Sequence, residues 1–397
     1  MIIYREITPH LRNLAKQFSS VAVMGPRQSG KTTLVKETFP DYAYVSLEDL
    51  DFRMAAKDDP RNFLATYENK KGVIIDEVQE VPELFSYLQG IIDKKFRPGF
   101  FILTGSQNFL MHEKITQTLA GRIAILTLLP FSIFELQKAK QMPSTLDNLL
   151  IKGFYPPLYS QPVEPRNWFK NYVVTYIEKD VRQVLKISDV VSFQRFLKLC
   201  AARTGNLLNY SELARDCDIS PNTAKSWLSI LESSYIIKLL YPYYKNFNKR
   251  IIKAPKLYFY DTGLTCFLLD IKNADELNIH PLRGHIFESM IISEFFKYNY
   301  NNGEIPSLFF WRDTQGHEID CIIEKSLTNI IPVEIKSRMT VSNDFFKGLI
   351  DWREITKQED VESYVVYAGK ENLIRKQGNI YTWEDITKMM KKIYKNS

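Results

Sequence analysis

The chain has 397 residues, 45% of them hydrophobic and 25% charged, a balance that excludes a disordered polymer and, at this length, calls for roughly two to four cores. No run approaches the ~18 consecutive apolar residues of a membrane span, and the opening MIIYREITPH lacks the basic-then-apolar layout of a signal peptide, so no membrane partner and a cytoplasmic location are expected. The net charge of +6 permits nucleic-acid binding without demanding it, and Cys200, Cys217, Cys266 and Cys321, with no CxxC spacing, read as buried reduced thiols rather than zinc ligands or disulfides.

Residues 1–140 alternate β-branched runs with helical stretches. Val21–Met24, Tyr42–Leu47, Val73–Asp76, Phe101–Thr104 and Ile123–Leu128 read as strands of a parallel sheet, so the expected fold class is α/β. Residues 141–190 read as a helical linker or lid broken at Gly153 and at Pro156 and Pro157. A third unit, 191–262, reads as short helices followed by a hairpin, Tyr235–Tyr244 and Ile251–Tyr260. The last, 263–397, opens with an amphipathic helix near Gly284–Tyr298, continues with a strand pair and ends in a basic tail, Lys388–Lys395.

Within the first unit, Gly25-Pro-Arg-Gln-Ser-Gly-Lys-Thr fits GxxxxGK[ST] between an apolar strand and a helix-compatible segment, where backbone amides and a helix N-terminus can surround phosphates. Gly25, Pro26, Arg27, Gln28, Ser29, Gly30, Lys31, Thr32 and Thr33 are the expected nucleotide contacts, with Lys31 on the β and γ oxygens and the Thr32 hydroxyl on magnesium. Val73-Ile-Ile-Asp-Glu ends a buried strand in two carboxylates; Asp76 is expected in the magnesium shell and Glu77 beside the attacking water. Thr104, Ser106 or Gln107, after the next strand, are candidates to sense the γ-phosphate.

These segments, with LAGRI, LLPFSIFEL, GFYPPLY, TYIEKDVRQV and APKLYFYDTGL in order, resemble prokaryotic ATPases of the AAA superfamily that carry a C-terminal restriction-endonuclease-like region. The resemblance implies ATP rather than GTP, Mg2+ as cofactor, and a homo-oligomer. It makes Arg122 a candidate catalytic arginine and Arg182 a second.

Asn209 to Leu228 reads as two helices joined by a tight turn, with Ser220 as N-cap and Pro221 at the first helical position. With the hairpin it looks like a winged helix. Asn222, Thr223 and Lys225 on the second helix and Lys245, Lys249 and Arg250 at the hairpin tip are candidate DNA contacts, against the alternative of a protein-binding or packing module.

In the final unit, a turn centred on Leu327 sets Asp320 opposite Glu334 and Glu318 opposite Lys336. Alternation places those four on one face and Ile319, Cys321, Val333 and Ile335 on the other. With Glu288 the set resembles the PD-(D/E)xK nuclease superfamily, which implies carboxylates holding magnesium and Lys336 orienting the nucleophile; a solvated strand pair of ordinary ion pairs is the alternative. Three functions follow: an ATPase or ATP-gated switch engaging DNA, an ATP-dependent nuclease, and a nucleotide-gated scaffold binding protein.

Overall fold

Five apolar runs form the first sheet: β1 (Ser20–Gly25), β2 (Ala43–Ser46), β3 (Val73–Asp76), β4 (Phe101–Ser106) and β5 (Ile123–Thr127). The order is β2-β3-β4-β1-β5 and every neighbouring pair is parallel. The computed structural model describes residues 2–106, 119–177, 190–243, 254–326, 328–358 and 361–395. Strand alternation sorts the two faces. Ala22, Met24, Val45, Ile75 and Leu103 pack on Leu84 and Leu88 of the helix Leu84–Lys94, whereas Val21, Val23, Ile74 and Ile102 pack on Leu11, Leu34 and Val35. With both faces covered, the polar C-terminal ends of the strands are the open edge.

The helices Leu146–Lys152, Pro157–Ser160 and Pro165–Tyr172 break at Gly153 and the proline pair, as the sequence indicates. They do not form a separate lid. Tyr155, Phe169 and Tyr172 share one core with Phe196, Trp227 and Leu257, so no break in packing falls between the linker and the helical unit that follows. That unit consists of the helices Val190–Ala202, Tyr210–Asp216 and Pro221–Ser233 and an antiparallel pair, β6 (Ile237–Leu240) and β7 (Lys256–Phe259). The Ser220 hydroxyl accepts the Thr223 amide at 3.0 Å, with Pro221 opening the helix. Ala224, Trp227, Leu228 and Leu231 face inward.

The third sheet is mixed, in the order β12-β13-β11-β10-β9-β8, from β8 (Leu308–Arg312), β9 (Glu318–Ser326), β10 (Asn329–Lys336), β11 (Tyr364–Tyr367), β12 (Leu373–Arg375) and β13 (Gly378–Thr382). The helix Arg283–Asn302 lies on one side; it is buried at every position from Ile286 to Lys297, because it packs on the neighbouring units as well as on the sheet, and is not the one-faced helix its sequence suggests. The helix Lys347–Thr356 covers the other side through Leu349 and Trp352. The basic C-terminal run is not a tail either: within the helix Ile386–Lys395, Ile386, Met389, Met390 and Ile393 are buried and the lysines ride the outer face.

One buried carboxylate joins the linker to the third unit. Asp261 accepts the Phe154 amide at 2.7 Å and the Leu264 amide at 2.9 Å, and an added Cβ on Gly153 would stand 2.4 Å from its Oδ1. Burial pushes its carboxyl up from 3.8 to about 6 despite those amides. The folded chain therefore holds this proton more tightly than the unfolded one, and the associated stability is complete below pH 3.8 and lost as pH rises through about 6. Urea unfolding of the wild type should weaken across this window by on the order of 3 kcal/mol. Asp261→Asn should remove that slope, whatever its effect on absolute stability.

Candidate nucleotide site and a second charged cluster

At the open edge of the first sheet, β1 delivers the loop Gly25–Gly30. Gly25 runs against the next strand, and a Cβ there would lie 2.0 Å from the Leu128 carbonyl oxygen. Gln28 and Gly30 hold positive φ angles of 64° and 92°, which curl the loop into the helix Lys31–Thr38. That helix starts without a side-chain cap, so its first amides face the loop's hollow. The Lys31 ammonium rests on the Gly25 and Pro26 carbonyls at 3.1 and 3.0 Å. The Ser29 hydroxyl is buried and has no hydrogen-bond partner among the described residues.

Asp76, at the end of β3, is the hub. It accepts the Thr32 hydroxyl at 2.9 Å, the Tyr44 phenol at 2.8 Å and the Thr104 hydroxyl. Burial, then the hydrogen bond to Asp76, drive the Tyr44 phenol above its usual range, so it stays protonated and donating. Glu77 follows in a left-handed conformation, φ 52° and ψ 49°, strained for a residue with a side chain, and its carboxylate accepts from the side-chain Nε2 of Gln79. Thr104 lies wholly inside, where it orients Asp76 and accepts the Glu77 amide at 3.4 Å. Ser106 ends β4 with its backbone paired to Gly25. Gln107 lies outside the described residues.

A cleft of about 350 Å³ gathers Arg27, Gln28, Gly30, Lys31, Thr32, Thr33, Asp76 and Glu77 with Pro156, Pro157, Ser160 and Gln161. Across Gly30 and Thr33 it adjoins a less polar hollow of about 430 Å³ lined by Ile2, Tyr4, Arg5, Phe131 and Tyr159. The uncapped start of the helix Lys31–Thr38 and the hard oxygen donors of Thr32 and Asp76 fit phosphate and magnesium. Tyr44 and the proline pair are members that sequence reading missed: neither belongs to the loop or carboxylate motif, and the prolines read there as helix breakers alone.

The structure does not bring Arg122 to this cleft. β5 runs parallel to β1 with Ile123 beside Ser20, so Arg122 sits at the opposite end of the sheet. There its guanidinium pairs with Asp93, 3.1 Å from Nη2 to Oδ2, and donates to the Ala120 carbonyl. Within one chain it does not complete the site. Arg182 lies outside the described residues, as do Lys245, Lys249 and Arg250. Asn222 and Lys225 are exposed, with the Lys225 ammonium 5.6 Å from the Tyr210 ring centroid; Thr223 is half-buried and its hydroxyl engages Ser220.

The second cluster surrounds β9 and β10. Val333 pairs with Cys321, the register expected from the sequence, and beyond it the Ile335 amide turns to Asp320 Oδ2 at 2.7 Å. The expected alternation fails in β9. Phe309 faces Ile322 and Trp311 faces Ile319, so three steps of β9 oppose two of β8, a β-bulge. Ile319 consequently packs with Trp311, Phe345 and Trp352, while Cys321, Val333 and Ile335 share the other core. The charged residues divide likewise: Glu334 lies against Gly348, whereas Glu318 pairs with Lys256.

Lys256, from β7, is the residue sequence reading missed here. Only 3% exposed, it pairs with Glu288 at 3.2 Å and with Glu318, while the Tyr258 hydroxyl also donates to Glu288. Lys336 pairs with Glu334 and stands 3.7 Å from Asp320. Burial opposes charge on Glu288, yet Lys256 and His285 hold its carboxyl well below the ordinary range; burial pushes the Asp320 and Glu334 carboxyls up. Glu288, Asp320, Glu334 and Lys336 are thus gathered into one electrostatic cluster, but two ammonium groups stand among its carboxylates. Among the described residues no three His, Cys, Asp or Glu side chains are disposed to hold a metal.

Comparison with known proteins follows the same divisions. Residues 17–137 match a family model described as an AAA domain, and residues 143–275 and 283–386 match two models each described as a domain of unknown function. Uncharacterized proteins of Mycobacterium bovis and Mycobacterium tuberculosis are each 28% identical over 332 residues, 82% of this chain and 72% of the relative. The Walker-type ATPase PABY2304 of Pyrococcus abyssi aligns over 66% of this chain and 94% of its own, at 13% identity and a TM-score of 0.45. AMPPCP-bound DnaA of Aquifex aeolicus aligns over 57% and 85%, at 15% identity and a TM-score of 0.29. The match to an AAA domain falls on the unit that carries the P-loop sequence and the five-stranded parallel sheet.

Removing Lys256 should strand buried charge. Lys256→Met is expected to destabilise the chain by about 3–5 kcal/mol, read from its denaturant midpoint, because Glu288 and Glu318 lose their shared cation.

Proposed function

We propose that this chain is an ATPase in which Mg-ATP, held by the N-terminal unit, sets how the C-terminal units engage DNA. The observation that supports the nucleotide part is the convergence of the loop residues Arg27, Gln28 and Gly30 with Lys31, Thr32, Asp76 and Glu77 on one cleft. In this reading the triphosphate lies along the loop, Lys31 leaves the Gly25 and Pro26 carbonyls for phosphate oxygens, and the base enters the less polar hollow beside Tyr4 and Phe131. Thr32 and Asp76 would hold magnesium, which when bound neutralises phosphate charge. Glu77 orients the attacking water and takes its proton, and the γ-phosphoryl bond to the β-phosphate oxygen breaks as the water oxygen bonds to phosphorus.

The DNA part rests on the helix Pro221–Ser233, whose outer positions Asn222 and Lys225 are open, and on the winged-helix-like order of three helices and a strand pair. Coupling requires that bound nucleotide favour one arrangement of these units over another. Nuclease action is the second reading, supported by the gathering of Glu288, Asp320, Glu334 and Lys336. It is weakened by the two ammonium groups among those carboxylates, Lys336 beside Asp320 and Glu334 and Lys256 beside Glu288. Arg122 could enter catalysis only on a second copy of the chain.

Two substitutions and one assay separate these readings. Lys31→Ala should weaken nucleotide binding at least tenfold, and normal affinity would remove the loop from the site. Glu77→Gln should keep ATP and lose at least a hundredfold in turnover; undiminished hydrolysis would sink its assignment. Turnover stimulated by DNA that stays intact supports the switch, whereas cutting in magnesium that disappears in Asp320→Ala supports the nuclease.

A further inference from the structure

One buried cation near the nucleotide cleft is left unexplained by phosphate contacts. Arg5 precedes the first helix, is 7% exposed, and spends its guanidinium in three directions: Nη1 donates to the Ser29 carbonyl at 2.7 Å, Nη2 to the Leu129 carbonyl at 2.6 Å, and Nε to Glu135 Oε1 at 3.0 Å. The Phe131 ring stands 4.9 Å from its guanidinium carbon. Ser29 belongs to the phosphate loop, so Arg5 fixes the orientation of one loop peptide. In a trans peptide the C=O and N–H point in opposite directions. Holding the Ser29 carbonyl toward Arg5 therefore turns the Gly30 amide to the other side of the loop, which is the phosphate side. Gly30, at φ 92°, has no steric preference of its own that would keep the peptide from flipping.

We propose that Arg5 is a positioning residue of the phosphate cradle, holding the Ser29–Gly30 peptide so that its N–H is available to nucleotide phosphate. The proposal deepens the nucleotide-binding reading and rests on it. A lysine cannot replace the arginine, because three acceptors in three directions need the planar fork and its separate N–H groups. Arg5 also borders the hollow assigned to the base, but its N–H groups are directed at protein acceptors, so the larger deficit in an Arg5 variant should fall on the phosphates.

The test compares ADP with adenosine by calorimetry on the full chain, with thermal unfolding as the check on folding. In Arg5→Met, ADP affinity should fall at least tenfold while adenosine affinity falls less than threefold, and Arg5→Lys should show the same asymmetry if the methionine variant does not fold. Equal losses for both ligands, no loss for either, or failure of both variants to fold would overturn the proposal in favour of a purely architectural arginine. Failure of the wild-type chain to bind ADP would instead overturn the nucleotide reading beneath it.

Discussion

A buried charge left without a partner costs several kcal/mol, and this chain places several of its buried charges where one unit meets the next. Arg5 and Glu135 join the N-terminal segment to the helix Ile133–Lys138 that leaves the first sheet. From the last unit, Glu294 accepts the Ile133 amide at 2.9 Å, and Lys297 donates to the Phe131 carbonyl at 2.8 Å while pairing with Glu294. Lys256 of the third unit is enclosed by Glu288 and Glu318 of the last. Separating any of these units exposes or orphans an ion, so the arrangement is held more specifically than apolar burial, which is non-directional, could hold it.

The same network places the nucleotide cleft in mechanical contact with the distant charged cluster. Ser29, Arg5, Glu135, the cap of the helix Ile133–Lys138 and Glu294 form a continuous run of hydrogen bonds, and Glu294 lies on the helix that also carries Glu288. Continuity of contact is a route and not in itself a coupling energy. It does identify which joints a change at the phosphate loop would load first.

The cluster around β9 and β10 shows how a motif and its chemistry separate. The E…D…ExK residues are present and close, but a bulge turns part of β9 over, and a strand from another unit inserts an ammonium between two of the carboxylates. The carboxylates are paired with lysines, Glu288 and Glu318 with Lys256 and Glu334 with Lys336; the same residues without Lys256 would present a stronger negative potential to a divalent ion. A likeness of motif therefore carries less weight here than the identity of the counter-ions.

Local signals carried far. The GxxxxGK[ST] spacing, the apolar run ending in Asp76 and Glu77, the Ser220 and Pro221 cap and the pairing register of the final hairpin are each encoded within a few neighbouring residues, and each appears where the sequence places it. Backbone hydrogen bonding and strand alternation act over that short range, so the pattern is complete in the local text. What the tertiary structure alone decided are the partners: Arg5 with Glu135 across 130 positions, Tyr44 with Asp76, Lys256 with Glu288, and the placement of Arg122 at the far end of its sheet. The bulge in β9 belongs with them, since it is defined by the pairing with β8. An ion pair has no periodicity and no preferred sequence separation, and it is chosen by which charges the packed cores bring together when water is excluded.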